Sequence, residues 1–345
     1  MAQKLLLENG SPLIGSPIVY GVTADSLTNL DTVTFHRVKL KVTAGLQGGD
    51  FREFVMSSPV EDGERIMIDI SSALRAVADG YEYTAEPPAN YPYIVFSLEA
   101  CDDYMQNGEI HENVGVVKND GGRALLGGYS DLDRLLSGGS KTTSSFSRKP
   151  KSSPEIVCEG EELVCPQDMV CSIGSIDNGQ SSVVTKIIVD DANPVGIRSV
   201  SGREVFVMEK YSTDRYQFRF VNSLGCLESI GVYSLRSTKV NVSKEEYSRS
   251  VQETFGKFSR GYVTKANDYE TWSLSSGPLT EDWQQWFLHE FLMAKFVWVK
   301  ISGRWIPCHI LPEDTVTGVD RTNASMLTVS FSVRLDINGS PFLTV

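Results

Sequence analysis

The sequence predicts a mainly β protein: two or three antiparallel β-sandwich or barrel-like domains, a few short helices and one longer amphipathic helix near 280–295. Three observations lead there. Apolar residues alternate with polar ones over short runs. Turn residues punctuate those runs at short intervals, and strands do not alternate with long helices as a doubly wound sheet would require. The 345 residues, at roughly 150 per domain, suggest about two cores.

Along the chain, Val38, Leu40 and Val42 alternate with Lys39 and Lys41, whereas Val33 and Phe35 hold the opposite phase. One extra residue near His36-Arg37 should therefore form a bulge or break. Strands are expected at Arg65–Asp69 and 93–98, then at 183–189, 203–209 and Val297–Ile301. Tyr216, Phe218 and Phe220 alternate with Gln217 and Arg219, and Leu327–Leu335 alternates without error. A first helix is expected over 71–79, stopping at Gly80. A second should begin at Ser130, with Asp133 as capping partner and Leu132, Leu135 and Leu136 as its stripe. The third follows Thr280, whose hydroxyl suits an N-cap and is followed by Glu281 and Asp282. Trp283, Trp286, Phe287, Phe291 and Ala294 then lie along one side. This side is expected to pack across a sheet rather than to form a ligand platform.

The expected division is an N-terminal β-rich domain, 1–138, a flexible basic Ser/Gly-rich linker, 139–153, and a C-terminal β-rich domain, 154–345. The linker has almost no apolar residue, and its Arg148-Lys149-Pro150-Lys151 is expected to be solvated.

The formal charge is −12. Residues 1–138 carry 10 Lys/Arg against 20 Asp/Glu, and an acidic body argues against binding a phosphate backbone. No apolar run reaches the ~18 residues of a bilayer-spanning helix. The opening Met-Ala-Gln-Lys-Leu-Leu-Leu-Glu is too short for a secretory signal. Cytoplasmic synthesis, no nucleic acid and no membrane insertion are the expectations, and the sequons at Asn9, Asn241, Asn323 and Asn338 then mean little.

Chemistry is sparse. Cys101, Cys158, Cys165, Cys171, Cys226 and Cys308 lack zinc-ligand or C-x-x-C spacing and read as reduced packing residues. His36, His111, His289 and His309 form no H-x-x-x-H pair. Cys308 and His309 are adjacent in a strand-like run, so they point to opposite faces and cannot form a dyad. The carboxylate clusters Asp102-Asp103, Glu159–Glu162, Asp190-Asp191 and Glu245-Glu246 read as solvated loop charges. Calcium at Asp190-Asp191-Ala192-Asn193 is a slightly better guess than glycosidase chemistry. No phosphate-loop, dinucleotide or nucleophile-elbow motif is present. No catalytic, cofactor-binding or metal residue is assigned, and no cofactor.

A succession in the second half carries a resemblance. An aromatic strand (Tyr216, Phe218, Phe220) precedes the Asn222-Ser-Leu-Gly225 turn. Gly277-Pro278-Leu279, the tryptophan helix, Val297-Trp298-Val299, the run Trp305 to Ile310 and the closing strand follow. In its order this resembles tail-associated structural proteins of tailed bacteriophages and prophages, the distal tail and baseplate class. In the first half, the runs 68–74 and 127–134 are similar. The resemblance implies a non-enzymatic assembly subunit that acts through protein–protein contacts. Such a subunit forms a homo-oligomer or binds other tail proteins, and it resides in the virion once assembled. The alternative is a carbohydrate or cell-surface binding module, with a host-surface glycan as partner, using exposed aromatics such as Trp272, Trp298 or Trp305. A hydrolase is the third reading.

Overall fold

The computed structural model describes residues 4–79, 81, 86–88, 92–130, 146–166, 182–209, 215–253, 256–311, 316–319 and 327–335; within 236–270 and 316–319 the description is of the backbone. The helix expected from Ser130, the stop at Gly80 and Cys171 lie outside these residues.

The protein is mainly β, as its alternation predicts. In the first half, β1 (Leu5–Gly10), β2 (Ile18–Thr23) and β5 (Arg65–Asp69) form one antiparallel sheet. β3 (Val33–Leu46), β4 (Phe51–Pro59), β6 (Tyr93–Gln106) and β7 (Glu109–Leu125) form a second, in the order β4-β3-β6-β7. Every second residue of β3 and β6 faces inward: Val38, Leu40, Val42 and Ala44 meet Ile94, Phe96, Leu98 and Ala100. These pack on Ile18, Tyr20 and Val22 of β2 and on Ala73, Leu74 and Val77 of α1 (Ser71–Ala78). Burying each large aliphatic side chain contributes roughly 1.5–3 kcal/mol. The irregularity expected near His36-Arg37 lies earlier: the register against β6 shifts between Val33 and Phe35, while His36 and Arg37 pair regularly with Tyr104 and Asp103. The β6–β7 turn is Asn107-Gly108, both with positive φ, the geometry that matches strand twist in a two-residue hairpin.

The second half opens with a small unit. β8 (Glu155–Cys158) pairs in parallel with β12 (Arg203–Met208), which pairs with β11 (Gly196–Val200); β9 (Glu162–Pro166) pairs with β10 (Ser182–Lys186). Val157, Leu163, Cys165, Ile187, Val205 and Val207 form its core.

The remainder is a barrel. β13 (Arg215–Val221), β14 (Leu227–Glu253), β15 (Gly256–Ser275), β16 (Val297–Ile301), β17 (Arg304–Ile310) and β19 (Leu327–Leu335) pair in the order β15-β14-β13-β16-β17-β19. Pairing of β19 with β15 closes the ring of six, which abolishes free edges there. β18 (Val316–Val319) pairs with the start of β19. The expected helix 280–295 is realised as α2 (Glu281–Trp286) followed by a π-turn, Phe287–Phe291. The wider winding sets Phe287 and Phe291 on the same side, both fully buried, with ring centroids 5.0 Å apart. With Trp283 and Trp286 they plug the barrel against Phe218, Phe220, Phe331 and Val333. The tryptophans are packing residues, as the spacing suggested.

A further core joins the two halves: Leu13, Tyr93 and Leu125 pack with Phe146, Val164, Val221, Leu224 and Trp298.

Candidate functional site

The expected solvated linker is corrected where it is described. Phe146, Ser147 and Lys149 are buried, because residues 146–153 form a strap across the barrel plug. Asn222 Nδ2 donates to Phe146 O at 2.8 Å, and Trp283 Nε1 donates to Ser153 O at 3.1 Å. Lys149 Nζ donates to both oxygens of Glu155 at 2.8 Å and to Ser229 O at 2.6 Å, above the Trp286 ring. A charge run without acids reads as solvated in one dimension, but its counter-ions arrive from β8 and the π-turn: Glu290 lies 3.5 Å from Arg148.

The Asn222-x-x-Gly225 turn is a junction. Asn222 Oδ1 accepts from the amides of Leu224 and Cys226 at 3.1 and 2.9 Å. Glu290 accepts from the amide and hydroxyl of Ser223, both at 2.8 Å. From the first half, Gly128 N donates to Ser223 O at 2.8 Å. At Gly127 a Cβ would fall 2.2 Å from the carbonyl carbon of Leu224, so only glycine permits this approach.

Asp102 and Asp103 are corrected too. They are not loop charges: both lie in β6, 0% and 2% exposed. Lys4 Nζ binds Asp102 at 2.8 Å and Asp25 at 2.7 Å. Burial raises the Asp102 carboxyl, against the pull of Lys4 and the Asp25 amide. Burial also opposes ionisation of Asp103, but Lys39, the Asn113 amide and Arg37 together hold it below the usual range. In 159–162, Glu161 binds Arg215, and Glu162 binds Arg219 and Lys300. Asp190 closes an exposed turn onto Asn193. Among the described residues, no three His, Cys, Asp or Glu converge as metal ligands. Glu245 and Glu246 pair with Lys265 and Val263 in a strand register rather than in a loop. Cys101, Cys158, Cys165, Cys226 and Cys308 are buried free thiols. Trp298, expected as an exposed aromatic, is 0% exposed. Trp305 lies under Arg219 and Lys300, and Trp272 packs on Tyr216.

The feature that sequence reasoning missed is a β-hairpin arm. β14 pairs with β13 only as far as Tyr233, and β15 pairs with β19 only from Thr271. Beyond that root, among the described residues, the two strands pair only with each other, from Val240↔Glu270 to Glu253↔Gly256. At ~3.3 Å per residue they reach about 50 Å past the barrel. Two residues inserted between Ser234 and Ser237 shift the register where the ribbon leaves the barrel, a place where a bulge increases twist. In the outer half, the pairs Tyr247↔Tyr262, Arg249↔Arg260 and Val251↔Phe258 share one face. Glu246↔Val263, Ser248↔Gly261, Ser250↔Ser259 and Gln252↔Lys257 share the other. Residues 236–270 carry seven Lys/Arg against five Asp/Glu, the rest of the chain 25 against 39. A basic ribbon therefore projects from an acidic body. A signal existed: no proline occurs between Pro194 and Pro278, and Val240 and Val242 alternate with Lys239, Asn241 and Ser243.

At the root of the arm lies an apolar groove. The sheet β11-β12-β8 carries the cross-strand row Ile197, Phe206, Ile156 on its outer face, with Ile197 65% exposed and Phe206 37%. The row runs into a cavity of about 290 Å³ lined by Ile156, Phe206, Ile230, Tyr233, Leu279 and Trp283.

No family model matches the chain, and no curated protein matches it at a significant level. No helix among the described residues is long and apolar enough to cross a membrane.

Proposed function

We propose that the chain is a non-enzymatic structural subunit that assembles through protein–protein contacts made by its hairpin arm, in a phage or prophage tail or baseplate. The arm carries this reading. An isolated two-stranded ribbon is marginal in water, and directly opposed like charges such as Arg249↔Arg260 weaken it further. Such a ribbon is made good by a partner that covers its face and its unpaired edges. The tail assignment rests on the order of motifs in the second half. Carbohydrate binding draws less support, because Trp298 is enclosed and the ring of Trp305 faces two cations.

Sedimentation velocity from about 1 to 100 μM, a range spanning ordinary assembly affinities, tests the reading. The full chain is expected to form a defined oligomer. A variant with 240–270 replaced by Asn-Gly, which keeps the Lys239↔Thr271 pair at the root, is expected to be monomeric. A full chain that stays monomeric throughout overturns the proposal.

A further inference from the structure

We propose that Lys4 and Asp102 join through an amide bond, a self-made cross-link between the two sheets of the first half. It stands apart from the assembly reading and needs no partner.

Three groups meet here from separate places in the chain. Lys4 lies just before β1, Asp25 just after β2, and Asp102 within β6. Nζ of Lys4 is 2.8 Å from Oδ2 of Asp102 and 2.7 Å from Oδ2 of Asp25. The Lys4 side chain is 10% exposed and that of Asp102 0%, whereas Asp25 reaches solvent at 38%. Gly115 of β7, with positive φ, passes directly against them. A Cβ there would overlap the Asp25 carboxylate and stand 2.7 Å from Nζ.

An ion pair alone leaves this site poorly satisfied. Two carboxyls share one ammonium, and Oδ1 of Asp102 has no hydrogen bond although the residue is fully buried. Facing it at 4.0 Å is Nε2 of buried His36, which has no partner either. An unbonded carboxylate oxygen in the interior is costly, and the cross-link removes it. Cγ would keep only Oδ2, which the Asp25 amide holds at 2.9 Å.

The step balances without a co-reactant. Burial favours the neutral Asp102 acid. Nζ passes one proton to Asp25 and attacks Cγ, while the Asp25 amide steadies the negative charge growing on Oδ2. A second Nζ proton goes to the hydroxyl on Oδ1, the C–O bond breaks, and one water leaves. Asp25 ends protonated, and the buried ammonium has become a neutral amide. Groups fixed in contact react as though at roughly 10⁵–10⁸ M, so no enzyme is required.

Mass spectrometry of the intact full chain, followed by digestion, is the test. The wild type is expected to be lighter than its sequence by one water, and its digest to contain a branched peptide joining Lys4 to Asp102. Lys4→Arg keeps the cation without the amine and should restore the full mass. Asp102→Asn should lose one ammonia in place of water. Asp25→Asn removes the proton acceptor and should slow the bond at least about a hundredfold, leaving the purified chain unlinked. An ordinary ion pair would hold all these chains at full mass, and a wild type at full mass overturns the proposal. So does a water lost without the branched peptide, as a succinimide elsewhere would give. Asp25→Asn linking as fast as the wild type overturns the step as written.

Discussion

Glu228 is fully buried at the start of β14, and neither carboxylate oxygen has a hydrogen bond of good geometry. Burial pushes its pKa up from 4.5 to about 7, against the pull of Lys149, Ser147 and Arg203 and with the push of Glu290. The folded state therefore holds a proton that the unfolded chain gives up. The resulting stability is whole below pH 4.5 and is lost as pH rises through about 7, a change on the order of 3 kcal/mol. Glu228→Gln should flatten this loss: its melting temperature is expected to match the wild type near pH 5 and exceed it near pH 8. Lys149→Met leaves Glu155 buried without its cation and should cost about 3–5 kcal/mol in urea unfolding, partly recovered by adding Glu155→Gln. None of this was legible in one dimension. Asp102-Asp103 and Lys149 look like surface charge, and only Lys4, Lys39 and Glu155, brought in from other elements, hold them in the interior.

At the scale of elements, strict alternation was decisive. β5, β16 and β19 begin and end where the sequence places them, and in β19, where one face is buried, a one-residue slip would invert it. The arm escaped the same logic because its alternation is short: Val240 and Val242 are followed by the polar run Lys244-Glu245-Glu246. The helix after Thr280 was placed correctly at its start and ends sooner than expected, at a π-turn selected by the barrel it plugs. Phe291→Ala, which empties the centre of that plug, should destabilise by about 3–5 kcal/mol. Gly127→Ala should be costly for a different reason, since a methyl group there collides with backbone at Leu224. A loss of about 2 kcal/mol or more in chemical denaturation is expected, far beyond an exposed Gly→Ala change.

For the whole molecule, the sequence marks a boundary near 139–153, yet the core of Leu13, Tyr93, Leu125, Leu224 and Trp298 spans it. Composition locates where a chain lacks apolar residues, not which residues from either side meet. Because the halves share this core, calorimetry should record one cooperative transition, and Trp298→Ala should lower it for both halves together by about 3–5 kcal/mol. The arm's attachment has a mechanical consequence. Each of its strands continues directly into the barrel wall, β14 alongside β13 over seven residue pairs and β15 alongside β19 over five. Tension on the tip runs parallel to those strands, so both ladders must slide at once rather than peel open bond by bond. The projection is thus anchored in shear, the direction in which a sheet yields last, and a pull from a neighbour spreads around the closed wall instead of unravelling its end.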